Sequence, residues 1–119
     1  MKALGEMIND PNDEELKLFN FESNQIRVVT GSDGEPSFVA RDVARVLGYS
    51  NSRKAVRHHC KKKATVPIRD SSQNRHVTVI SEPDVYRMIV KSNMPRAEKF
   101  EHWVMEDVLP SIQKTGQYS

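Results

Sequence analysis

The chain has 119 residues, of which 37% are hydrophobic and 29% are charged, and its formal net charge is only +2. This length predicts a single soluble domain with a small core, and no apolar run approaches the roughly 20 residues that a membrane-spanning helix requires. The only cysteine is Cys60, so the sequence excludes an intrachain disulfide and indicates a reducing compartment.

The first predicted elements are an acidic arm and a small antiparallel sheet. Residues 1–15 are rich in acids and turn-forming residues, and we predict a flexible arm there. Alternating apolar residues from Leu16 and the β-branched run Ile26–Thr30 predict two strands. The segment Gly31–Gly34 contains Asp-Gly, which readily takes the positive φ of a hairpin turn, so Ser37–Ala40 is expected to return as a third strand.

Two short helices are predicted next. The first covers residues 41–47, where an apolar stripe at i, i+3 and i+4 starts at Val43, and Gly48 suits the position just beyond its end. The second covers residues 52–60 and begins at Ser52 after a polar run that can cap it. The short connection gives this pair a helix-turn-helix outline.

Basic residues are concentrated in one segment. Residues 41–76 contain ten Lys/Arg against two Asp, a formal charge of +8, whereas the rest of the chain has eight bases against fourteen acids. Helical side chains are about 100° apart, so the bases of the second helix share one arc, opposite Ala55, Val56 and His59. Such an arc either binds phosphates or, on the simpler alternative, is the solvated face of a structural helix.

The rest of the chain completes an α+β pattern. Apolar residues alternate with polar ones around Val66–Ile68 and Val77–Val79, which predicts a second hairpin. Pro67 cannot donate to a ladder, so its strand is expected at a sheet edge. Helical patterns after Pro83 and Pro95 predict two C-terminal helices. The predicted fold is therefore a small antiparallel sheet, a helix-turn-helix-like pair, a β-hairpin wing and two C-terminal helices.

The order helix, turn, helix, hairpin is typical of a winged-helix DNA reader. The second helix would enter a major groove, and the hairpin would contact the adjacent sugar-phosphate backbone. The predicted DNA-binding residues are Arg53, Lys54, Arg57, His58, Lys61, Lys62, Lys63, Arg69 and Arg75.

No enzyme, metal site or cofactor is predicted. His58, His59 and Cys60 are adjacent, and side chains about 100° apart on a helix do not converge on one ion. The sequence contains no phosphate-binding loop, nucleophile elbow or zinc-protease motif. Acids of the last helix are expected to form its solvated side.

A series of separated blocks resembles one known family. The blocks are Gly34–Ala44, Leu47–Asn51, Arg53–Ala55, Ile80–Arg87, Ala97–Phe100, Trp103–Val104 and Val108–Ile112. In this order they resemble the Bro-N domain, which occurs in phage antirepressor-like proteins and in the BRO proteins of large DNA viruses. The resemblance extends over residues 16–118, and it implies a DNA-binding module that is usually followed by a variable C-terminal domain.

Three positions depart from the family pattern. Ser37 stands where the family commonly has Trp, Ser52 where it has Pro, and Gln113 where it has a base. Ser52 is itself a good helix cap, so the predicted helix start survives. Gln113 weakens any expectation of DNA contact at the C-terminus. The chain is expected to be either a stand-alone Bro-N version or one without the second domain.

We therefore expect the DNA-binding module of a phage or prophage antirepressor-like transcriptional regulator. It would act in the bacterial host cytoplasm, at the nucleoid when bound to DNA. The alternative is a protein-interaction module that sequesters a repressor or another acidic partner without binding DNA. A homodimer through the helix at residues 95–112 is left open, and no membrane partner is expected.

Overall fold

The computed structural model describes the backbone of residues 15–31, 33–70 and 73–116, and the side chains of residues 16–31, 33–68 and 75–112. The arm predicted over residues 1–15 lies outside these ranges except for the backbone of Glu15, and so does the tip of the second hairpin. No helix in the described ranges is long and apolar enough to cross a membrane.

The described strands form one five-stranded antiparallel sheet in the order β1-β2-β3-β5-β4. Their bounds are β1 Glu15–Phe21, β2 Asn24–Thr30, β3 Pro36–Val39, β4 Lys63–Asp70 and β5 Gln73–Ser81. Strand β4 is at an edge, as Pro67 predicted. The hairpin β4–β5 is not a separate wing, because β3 pairs with β5 and places Val39 opposite Val79.

Helices lie after β3 and after β5. Their bounds are α1 Ala40–Val46, α2 Ser52–His59, α3 Glu82–Lys91, α4 Arg96–Trp103, a π-helical turn Val104–Val108 and α5 Leu109–Gly116. The predicted α+β class is confirmed. Helix α1 starts one residue earlier than predicted, since the chain turns into it directly from β3 without a loop.

The π-helical turn has a local cause. The Leu109 N–H donates to the Val104 carbonyl, five residues earlier, instead of four as in an α-helix. The helical turn there therefore contains one extra residue. Pro110 has no N–H, and its ring would clash with the carbonyl four residues before it in a regular α-helix. The wider turn just before Pro110 accommodates the proline without ending the helix.

The main core lies between the helices and one face of the sheet. Phe38 and Ile80 of the sheet and Val43, Val85 and Phe100 of the helices are fully buried there. Phe21 packs against Phe100 and Trp103 at ring-centroid distances of 5.3 and 5.2 Å. The opposite face of the sheet has a smaller buried cluster of Val29, Val39, Ile68 and Val79.

The turn between α1 and α2 is anchored to α3 and to the segment that follows it. Tyr49 Oη donates to the Met88 carbonyl at 2.7 Å, and Ser92 Oγ donates to the Leu47 carbonyl at 2.8 Å. Gly48 has φ +84°, and a Cβ built on it would lie 2.8 Å from Met94 Sδ. The turn thus needs glycine for both its backbone angle and its space, and it fixes where α2 begins.

Candidate nucleic-acid interface

Helix α2 presents the exposed basic arc that its periodicity predicted. Its N-terminus is capped by Asn51, whose Oδ1 accepts from the Lys54 N–H at 3.0 Å. Ala55 and Val56 are buried against the core. Arg53, Lys54, Arg57 and His58 are exposed. Among the described side chains, no carboxylate forms an ion pair with Arg53, Lys54 or Arg57, so these charges remain available to an external anion.

A notch in the sheet lies next to α2. Strand β3 ends at Val39, but its neighbours β2 and β5 continue beyond that point, since Phe38 pairs with Val28 and Val39 with Val79. The chain leaves the sheet there into α1, and a cavity of about 450 Å³ remains. The cavity is lined by Arg27, Val39, Arg41, Arg53, Arg75, His76, Val77 and Thr78. We call this cavity the arginine notch.

The arginine notch is strongly cationic. Four arginines from four elements line it: Arg27 from β2, Arg41 from α1, Arg53 from α2 and Arg75 from β5. None of the described residues that line it is acidic. Arginine forks match the geometry of phosphate and carboxylate oxygens, so the arrangement is suited to bind an anion.

One of the four arginines has a structural role. Arg27 Nε donates to Asp42 Oδ2 at 2.8 Å, and Arg27 Nη2 donates to Asp42 Oδ1 at 3.0 Å. The Arg27 backbone N–H also donates to Asp42 Oδ2, at 2.9 Å. That N–H lies just beyond the last β2–β3 pair, Val28 with Phe38, so the Asp42 carboxylate takes the place of a strand partner there. Arg45 Nη2 adds a second cation and donates to Asp42 Oδ1 at 3.1 Å.

The lysine run is held by a second buried acid. The backbone N–H groups of Lys61 and Lys62 donate to the Asp84 carboxylate at 2.9 and 2.7 Å, and Arg87 Nη1 donates to it at 2.6 Å. Burial raises the pKa of Asp84, but these three donors outweigh burial and leave its pKa below the ordinary value. Asp84 therefore stays ionised and fixes the connection from α2 to β4.

Lys62 and Lys63 are not in the arginine notch. They line another cavity, of about 400 Å³, together with the acids Asp33, Glu35 and Glu82. These carboxylates offset part of their positive charge. The structure thus separates the predicted DNA-binding residues Lys62 and Lys63 from Arg53 and Arg75, and the contact of these lysines with DNA stays a prediction.

Lys54 and His58 face the other flank of α2. Both line a small cavity of about 190 Å³ with Tyr49 and Asn51. His58 and His59 also line a mostly apolar groove of about 500 Å³ between α2 and α3. The described residues contain no group of His, Cys, Asp or Glu that could hold a metal ion. Burial raises the pKa of the Cys60 thiol to about 11, so this thiol is a poor nucleophile.

The hairpin contributes one described arginine to the site. Arg75 lies in β5 and lines the arginine notch, beside His76. Arg69 pairs with Asn74 in the β4–β5 ladder, but its side chain lies outside the described residues. The predicted role of Arg69 therefore remains a prediction from its position near the hairpin tip.

Sequence reasoning missed Arg27, Arg41 and His76 as site residues. Arg41 lies within the basic segment, but a helix-turn-helix interpretation directs attention to the second helix alone. Arg27 lies in β2, 26 residues before Arg53 in the sequence. Only the order of strands in the sheet brings it close to the site. The sequence feature that could have indicated Arg41 is its position just after the short third strand, at the start of the first helix.

Comparison with known proteins gives one family. The model of the BRO family, N-terminal domain (Bro-N), matches residues 25–110. An uncharacterized protein of Haemophilus influenzae is 45% identical over 90% of this chain and 54% of its own length. An uncharacterized Bro-N domain-containing protein of Autographa californica nuclear polyhedrosis virus is 29% identical over 84% of this chain and 36% of its own length.

A putative Bro-N domain-containing protein of Invertebrate iridescent virus 6 is 27% identical over 95% of this chain and 32% of its own length. The chain thus spans about half or less of the length of these relatives. No solved structure matches the chain.

Proposed function

This chain belongs to the BRO family and carries its N-terminal domain, and on that premise we propose that it is a nucleic-acid-binding module. The proposed ligand is double-stranded DNA, and the proposed setting is a phage or prophage antirepressor-like transcriptional regulator. The observation that carries the proposal is the meeting of Arg41, Arg53 and Arg75 at one cavity beside the exposed arc of α2.

The arginines at and near this site fall into two sets with different roles. Arg27 and Arg45 are paired with Asp42, and Arg87 is paired with Asp84, so these arginines hold the fold together. Arg41, Arg53 and Arg57 are exposed, and none of them forms an ion pair with the described acids. This second group is suited to meet a phosphate backbone, where each contact releases condensed counterions.

Both flanks of α2 support contact with an extended ligand. Arg53 faces the arginine notch, and Arg57 lies one helical turn further along the same side. Lys54 and His58 line the other flank. A helix with bases on both flanks of its exposed arc can lie in a groove between two rows of phosphates, which is the geometry of a recognition helix.

The test is a fluorescence-anisotropy titration with a duplex of random sequence at low and at physiological salt. We expect binding at low salt and a large loss of affinity for the double variant Arg53→Gln/Arg57→Gln. The matched control is Lys91→Gln/Lys99→Gln, which removes two exposed cations from α3 and α4. Equal affinities of the two double variants would contradict the proposal, provided that circular dichroism shows both to be folded.

A second candidate function is binding of a repressor or another acidic protein. The observation that favours it is the apolar groove between α2 and α3, where Val90 is 77% exposed. His58 lies at the same groove, so the exposed bases of α2 are beside it and would attract acidic residues. A mobility-shift assay at low salt separates the two candidates. Absence of any shift, together with specific binding of a repressor, would favour this second function.

A further inference from the structure

The arginine notch has the shape of a pocket. Its volume of about 450 Å³ lies within the range of small-ligand sites, about 300–1,000 Å³. The surface of a duplex is convex, so cations that contact only a duplex backbone can project outward from a flat or raised surface. Here Arg41 and Arg53 belong to different helices and line one concave cavity.

We propose that the arginine notch binds a phosphate monoester, which is either the terminal phosphate of a nucleic-acid strand or the phosphate of a free nucleotide. The inference rests on the proposed function, because it names the part of a nucleic acid that this cavity takes. It goes beyond that function because internal phosphates of a strand are diesters, which have different charge and geometry.

The first reason is stereochemical. A guanidinium donates two parallel N–H bonds to a pair of oxygens on one phosphorus. A phosphodiester has two non-bridging oxygens and therefore one such pair, which two arginines would have to share. A monoester has three terminal oxygens and therefore three pairs. Arg41 and Arg53 can each take a separate pair on a monoester.

The second reason is the balance of charge. A phosphate monoester carries about −1.5 to −2 at pH 7, whereas a diester carries a single negative charge. Asp42 neutralises Arg27, but no described lining residue neutralises Arg41 or Arg53. These two cations around one cavity match a dianion better than a monoanion.

The lining also suits the rest of a nucleotide. Val77 is half-buried and provides some apolar surface beside the arginines, and Thr78 is exposed in the same cavity. A sugar can pack on Val77 while its phosphate meets the arginines.

The test uses one short blunt duplex prepared with 5′-phosphate ends or with 5′-hydroxyl ends, titrated in buffer free of phosphate. We expect the phosphorylated duplex to bind about tenfold more tightly, the effect of one additional charge-assisted hydrogen bond. Equal affinity for the two duplexes would overturn the assignment of strand ends as the ligand and leave the proposed function intact. Binding of neither duplex would overturn the proposed function instead.

A second experiment identifies the source of the phosphate. It measures ligand binding at the arginine notch without a duplex. Adenosine monophosphate and adenosine are titrated into the protein by calorimetry. Binding of adenosine monophosphate without binding of adenosine supports the arginine notch as a site for free nucleotides. If the monophosphate does not bind but phosphorylated ends are preferred, strand ends are the source. Failure of both experiments overturns the inference.

Variants locate the effect in the notch. Arg41→Gln/Arg53→Gln should abolish the preference for phosphorylated ends, and Lys91→Gln/Lys99→Gln should retain it. Arg41→Lys/Arg53→Lys keeps both charges but loses the bidentate fork, so it should lose the preference while keeping most of the affinity for the hydroxyl duplex. Full preference in the Arg41→Gln/Arg53→Gln protein would overturn the assignment to this cavity.

Discussion

Arg27 and Asp42, in β2 and α1, form a bidentate ion pair with N–O distances of 2.8 and 3.0 Å, in which the Asp42 side chain is only 1% exposed. At the point where the pairing of β2 with β3 ends, Asp42 satisfies the backbone N–H of Arg27 as well as its side chain. It also holds the start of α1, and hence Arg41, against β2. We expect its loss to affect both folding and the shape of the arginine notch.

Asp42→Ala should lower the free energy of unfolding by about 3 kcal/mol, because it leaves Arg27 partly buried without its counter-charge. Arg45→Ala is the control, since Arg45 is 54% exposed and an exposed partner contributes less than about 1 kcal/mol. Urea unfolding followed by circular dichroism measures both. Equal losses in the two variants would show that the buried pair has no special role.

Asp84 should make stability depend on pH. Its pKa in the folded protein is below the ordinary value of 3.8, so the unfolded state binds a proton first as the pH falls. The stabilisation is therefore complete above about pH 5 and is lost as the pH falls through the folded-state pKa. Asp84→Asn should cost about 2 kcal/mol at pH 7 and much less near pH 2.

The measurement is the difference in unfolding free energy between the natural protein and Asp84→Asn across this pH range. Asp107→Asn removes an exposed carboxylate from the π-helical turn and serves as the control. A difference for Asp84→Asn that stays constant from pH 7 to about pH 2 would refute the linkage, because a constant difference means that ionisation does not contribute.

Gly48→Ala should destabilise the protein by about 2–4 kcal/mol, which combines the cost of a left-handed backbone with that of overpacking. The backbone has φ +84° at this position, and the new Cβ would meet the Met94 side chain. Gly34→Ala is a matched control, because Gly34 has φ +83° but no atom within 4 Å of its built Cβ. Gly34→Ala should show only the backbone contribution to the loss of stability. Thermal unfolding measures the difference between the two variants.

The salt dependence of DNA binding should report the number of phosphate contacts. If about five phosphates are neutralised, log K should fall with log salt at a slope of about −4.5 on duplex DNA. Arg53→Gln should reduce the magnitude of this slope by about 1. Titrations at four or more salt concentrations provide the measurement. An unchanged slope in Arg53→Gln would remove this residue from the set of phosphate contacts.

Much of the local structure followed from residue spacing. The 100° interval between helical side chains correctly put Ala55 and Val56 inside and Arg53 and Arg57 outside. Period two located the strands, and Pro67 correctly placed its strand at an edge. The hairpin turn at Glu22–Ser23 was not predicted. Both residues have positive φ, 50° and 71°, but neither is a residue type that indicates such a turn.

Residue spacing alone predicted the α+β class, the amphipathic arc of α2 and the concentration of bases, because each depends on intervals of a few residues. Which bases lie together at one site depended on the three-dimensional fold. Pairing of β3 with both β2 and β5 joined the two hairpins into one sheet, and the early end of β3 opened the arginine notch. Long-range pairing also moved Lys62 and Lys63 away from Arg53, since strand register, and not sequence distance, sets which side chains meet.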